Sequence, residues 1–98
     1  MRLRPDETEV IRAAVRDVFG PRATVRLFGS RVRDDLRGGD VDLFVEVDRG
    51  QATIAAEQRL RDLIEPVVED LRVDVILHAR DAPLTPIERI ALRDGVLL

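Results

Sequence analysis

The stretch "DVDLFVEV", residues 40–47, constrains the fold of this chain more than any other. Its alternation has a period of two. This predicts a β-strand with Val41, Leu43, Val45 and Val47 on one face and Asp40, Asp42, Phe44 and Glu46 on the other. Aspartate is a poor strand former, and two at alternate positions bring like charges to one face, about 6.5–7 Å apart at their Cα atoms. Two carboxylates that close repel unless water, an arginine or a divalent metal neutralises them. Both point to one side, where a cation could sit.

The same periodicities place the remaining elements. Asp6 and Glu9, after Pro5, read as a capping box, and Val10, Ile11, Ala14, Val15, Val18 and Phe19 then recur at helical spacing up to Gly20-Pro21. "ATVRLF" (23–28) is a short β-branched strand. Residues 51–65 carry Ile54, Ala56, Leu60, Leu63 and Ile64 along one stripe that continues to Val67, predicting a second long helix with Pro66 near its end. "RVDVIL" (72–77) predicts a third strand, with Arg72, Asp74 and Ile76 on one face. A closing helix starts at Thr85-Pro86 with Glu88 at its third position and stops at Gly95. The predicted order is α-β-α-β-α-β-α, its second helix being a turn or short helix after Ser30. That is an α/β fold in which a small mixed sheet is packed with helices. There are too few strands for a doubly wound sheet, and no G-x-G-x-x-G occurs.

Composition excludes several functions. Ninety-eight residues suffice for one domain with one modest core, read here as a single unit over 1–98 without a second lobe. No apolar run approaches the ~18 residues that cross a bilayer, and the N-terminus lacks the apolar stretch of a secretory signal. A soluble, cytoplasmic protein with no membrane association is the expectation. Zero cysteines exclude disulfides, thiolate catalysis and Cys-ligated zinc. A net charge of −3 argues against bulk nucleic-acid binding by phosphate neutralisation, and three Phe without Trp or Tyr provide no stacking platform for bases. His78, the only histidine, has no second His or Cys to share a zinc ion with and reads as a strand-end residue rather than a catalytic base.

The candidate site residues follow from chemistry. Asp40 and Asp42 are hard oxygen ligands at a spacing that suits Mg²⁺, which binds a few carboxylates plus substrate phosphates. Asp74, inside another apolar strand, completes a carboxylate triad if strands 40–47 and 72–77 are neighbours. Gly29-Ser30 follows a strand directly; glycine admits a close ligand, and turn N–H groups with the Ser hydroxyl form an anion site. Arg31 and Arg33 could reach phosphate oxygens, and Arg33, Asp34, Asp35 and Arg37 read equally well as solvated surface. The competing readings are an exposed polar strand face for the aspartates and a plain turn for Gly-Ser.

"LFGSR", nine residues between Ser30 and Asp40, then "DVDLFVEV" and the distal "RVDVIL" together resemble the minimal nucleotidyltransferases of the polymerase-beta-like superfamily. The resemblance runs from the first helix to "IERIALRDGVLL". It implies that Gly29, Ser30 and Arg31 hold a nucleoside triphosphate, that Asp40, Asp42 and Asp74 bind two Mg²⁺ ions, and that Asp74 assists the attacking hydroxyl. It further implies AMP transfer from ATP to a hydroxyl, a tyrosine of a HEPN-domain toxin, by a chain acting as antitoxin. The alternatives are a non-catalytic antitoxin that neutralises a toxin by complex formation, and nucleotidyl transfer to RNA or a small molecule. One departure is that Gly39, rather than Asp, precedes Asp40 and the spacer is about one residue shorter than in many members.

Overall fold

The computed structural model describes residues 4–28, 40–68 and 72–98, with Asp40 described in its backbone alone. The first helix, α1 (Pro5–Phe19), begins earlier than its sequence signal. Pro5 has its φ preset and no N–H to lose, so it takes the first helical position and makes residue 4 the cap. Glu7 is then the carboxylate at the right offset, accepting the Arg4 N–H at 2.9 Å. The predicted pairing of Asp6 with Glu9 is thereby corrected, and Asp6 sits in the first turn, where the helix dipole favours an acid. The helix ends at Gly20, whose φ of 92° belongs to glycine's territory and whose N–H reaches the Arg16 carbonyl at 2.7 Å.

Strand β1 (Thr24–Phe28) pairs antiparallel with β2 (Asp40–Val47), and α2 (Ile54–Ile64) then returns the chain so that β3 (Arg72–Ala79) lies parallel to β2. A parallel pair requires such a crossover. Thr53 caps α2, its Oγ1 accepting the Ala56 N–H at 3.1 Å, and residues 51–53 are not helical, so the helix is shorter than the predicted 51–65. Gln51 instead ties the turn together, accepting from Asp48 N and donating to Phe19 O, both at 2.9 Å. Helix α3 (Pro86–Asp94) has the expected capping box, with Thr85 and Glu88 exchanging backbone and side-chain bonds at 2.8 and 3.3 Å. A two-residue strand, β4 (Val96–Leu97), pairs antiparallel with β1 and gives a mixed sheet of order β3-β2-β1-β4. It was not anticipated, because two residues carry no periodicity. The predicted turn or short helix after Ser30 lies outside the described residues.

The main core lies between one sheet face and helices α1 and α2. Ile11, Val15 and Phe19 of α1 and Leu60 and Ile64 of α2 pack on Val41, Leu43, Val45 and Val47, as the alternation of β2 requires. The α2 stripe is narrower than predicted. Ile54 is 87% exposed and Leu63 43%, because only the part of the stripe centred on Leu60 and Ile64 faces α1 and the sheet. Phe44, on the opposite face, is also completely buried, together with Ala91 of α3. Arg26 lies opposite Phe44 in register, and its Cβ is 3.3 Å from where a side chain at Gly95 would begin, so the C-terminal end of α3 covers this second face. Among the described residues no helix is long and apolar enough to cross a membrane.

Candidate active site

The second face of the sheet carries the chemistry. In a parallel pair, register partners point the same way about 4.8 Å apart. Here Asp40 is partnered with Arg72, Asp42 with Asp74, Phe44 with Ile76 and Glu46 with His78. The condition set by the sequence is met at the backbone, because strands 40–47 and 72–79 are neighbours and Asp42 and Asp74 lie side by side. Asp42 is half-buried; the Asp74 carboxylate is 47% exposed. The third expected ligand, Asp40, opens β2 one pleat away; its side chain lies outside the described residues.

β1 ends at Phe28, the register partner of Asp42, and Gly29 is the next residue in the chain. β1 therefore ends beside the aspartate pair; Gly29, Ser30 and Arg31 lie outside the described residues. Among the described residues β3 is the edge strand of the sheet, with no strand there to bond one row of its backbone groups. Arg61 of α2, paired with Glu57 at 3.7 Å, donates to the Val73 carbonyl at 2.7 Å, anchoring β3 one residue before Asp74.

Toward the other end of the same face the polar groups are locked. Glu46 accepts from Arg26 Nη1 at 2.9 Å, with both side chains about four-fifths buried. His78 is 5% exposed and is the penultimate residue of β3, which runs two residues past the predicted 72–77. Its ring stacks on Phe44 with centroids 5.9 Å apart. Its Nε2 lies 2.9 Å from the Ala82 carbonyl; a carbonyl only accepts, so Nε2 carries the hydrogen and Nδ1 is left without a hydrogen bond, 4.0 Å from Glu46. His78 stands four residues from Asp74, about 13 Å along the strand, too far to serve the aspartate pair. It is a buried wall of the fold.

The residue that sequence reasoning passed over is Arg72. It shares the face with Asp74, its Nε is 3.9 Å from Asp74 Oδ1, and its position two residues before an in-strand aspartate was the available signal. Among the described side chains no group of three or more His, Asp or Glu converges on a metal position. Asp42 and Asp74 still provide two hard oxygen donors on one sheet face, a donor set that fits Mg²⁺ and not a soft metal.

The family model described as the nucleotidyltransferase domain matches residues 9–97, which contain every one of these positions. The chain belongs to this family. The match is of the polymerase-beta-like type and agrees with the observed helices and mixed sheet. No curated protein matches the sequence. Membership makes the domain a transferase of nucleotidyl groups, with a nucleoside triphosphate as the implied substrate.

Proposed function

We propose that this nucleotidyltransferase domain uses Asp40, Asp42 and Asp74 to hold Mg²⁺ and transfers AMP from ATP to a protein hydroxyl, a tyrosine of a HEPN toxin for which it is the antitoxin. The observation that carries the catalytic reading is the registration of Asp42 beside Asp74 at the point where β1 delivers the chain to Gly29-Ser30. The HEPN acceptor rests on the resemblance of Gly29-Ser30, Asp40-x-Asp42 and Asp74 to the minimal nucleotidyltransferases. Bound Mg²⁺ supplies Lewis-acid charge to the triphosphate and the acceptor oxygen.

The residues divide the work. Backbone N–H groups and the hydroxyl at Gly29-Ser30, with Arg31, seat the triphosphate so that its α-phosphorus faces the carboxylates. The acceptor oxygen attacks in line, forming one P–O bond as the bond to the β-phosphate bridging oxygen breaks and pyrophosphate leaves. In this reading Asp74 takes the proton of the attacking hydroxyl.

The test is incubation of the purified domain with a HEPN partner, Mg²⁺ and α-labelled ATP. Label is expected on the partner's tyrosine, and Asp42→Asn is expected to lower its rate by about a hundredfold or more. Absence of label with the wild-type chain, or full transfer by Asp42→Asn, rejects the catalytic reading. If Asp42→Asn nevertheless protects cells from the toxin, neutralisation works by complex formation.

A further inference from the structure

Resting on the reading of Asp42 and Asp74 as metal ligands, we propose that Arg72 is an exchangeable counter-ion of that site. Its guanidinium neutralises Asp74 while no divalent cation is bound and is displaced into solvent when one binds.

The register supplies the first argument. Asp40 faces Arg72 and Asp42 faces Asp74, so one strand brings two acids and its neighbour brings one acid and one base to the same four positions. This cation offsets the like-charge cost that Asp74 adds beside Asp42. Arginine is always charged, so it is a permanent neutraliser that no change in pH removes.

The second argument is the quality of the pair. Arg72 Nε stands 3.9 Å from Asp74 Oδ1, beyond hydrogen-bond distance, and its side chain is 77% exposed. Such a pair is weak and easily opened. The contrast lies on the same sheet face, where Arg26 and Glu46 meet at 2.9 Å with side chains only 21% and 18% exposed. This fold can lock an arginine onto a carboxylate where permanence serves it. At Asp74 the arginine is left long and mostly exposed.

The third argument is competition. A divalent ion on Asp74 and a guanidinium a few ångströms away repel each other, so the ion loads only as the pair opens, and an exposed ion pair of this kind changes affinity by up to about fivefold. The exchange therefore raises the cation concentration needed for loading, and the released guanidinium removes the repulsion by moving into solvent.

The experiment measures Mn²⁺ binding to the full chain without nucleotide, by electron paramagnetic resonance and by calorimetry. Thermal unfolding checks that each variant is folded. Arg72→Gln is expected to bind Mn²⁺ about fivefold more tightly than wild type, Arg72→Lys to retain wild-type affinity, and Arg72→Gln to have no effect in an Asp74→Asn background. Equal or weaker binding by Arg72→Gln overturns the proposal, as does a tightening of the same size in the Asp74→Asn background, which would report a general field rather than an exchange. Wild-type Mn²⁺ binding that survives Asp42→Asn unchanged would instead reject the metal-ligand reading itself, and the exchange with it.

Discussion

Asp42 and Asp74 are individually unremarkable in sequence, each an acid within an apolar strand. What gives them meaning is that parallel registration makes them adjacent. The same sheet face shows how context separates similar residues. Glu46 is held by Arg26 and stands beside a buried His78, while among the described residues Asp74 meets a distant, exposed guanidinium. The pairing with Glu46 sets His78 on the Asp74 face, and its burial comes from the stacking partner Phe44, the Ala82 carbonyl and its neighbours. Gly95 is another residue whose role is tertiary. A Cβ there would fall on the Ala91 carbonyl oxygen and press on Arg26 and the Leu27 carbonyl, so the glycine lets α3 turn tightly into β4. Gly95→Ala is expected to cost about 1–3 kcal/mol, read as a lower urea midpoint with unchanged slope.

At the scale of elements, the capping chemistry of α3 was legible because Thr85, Pro86 and Glu88 agree with one another. For α1 two capping offsets were available and proline decided between them. The α2 stripe shows why amphipathic patterns overreach. A run of apolar residues defines a face, but only neighbouring elements determine how much of that face is covered. Leu60→Ala, at a fully buried position, is expected to destabilise by about 2–5 kcal/mol. Ile54→Ala, by contrast, is expected to stay within about 0.5 kcal/mol. Chemical denaturation of the two variants side by side checks the narrower stripe; equal losses would return Ile54 to the core.

For the whole molecule, the sheet divides structure from chemistry. One face is closed by α1 and α2 around valine and leucine; the other is covered by α3 toward one end and carries the aspartates toward the opposite end of the β2–β3 pair. A cation that binds the folded aspartates but not the unfolded chain stabilises the whole domain. At a hundredfold excess of Mg²⁺ over its Kd the gain is about 2.7 kcal/mol. A rise in the thermal midpoint with Mg²⁺ is therefore expected for the wild type and its loss for Asp42→Asn, measured by calorimetry at matched ionic strength.

Local physics in the sequence determined much of this protein. Alternation in residues 40–47 and 72–77 specified two strands and the faces of their aspartates, helix signals specified α1, α2 and α3, and the Gly-Ser, D-x-D and distal aspartate pattern pointed to the nucleotidyltransferase family. Only tertiary structure decided that β3 lies parallel beside β2 in a register that matches Asp42 with Asp74 and sets Arg72 opposite Asp40. It also decided that β4 adds to the sheet, that Ile54 stays outside the core and that His78 is buried. The reason is range. Periodicity and capping act over a few residues and are written in the order of side chains, whereas register and coverage depend on which distant segments meet, and here residues 42 and 74 become neighbours only after a helix has carried the chain back across the sheet.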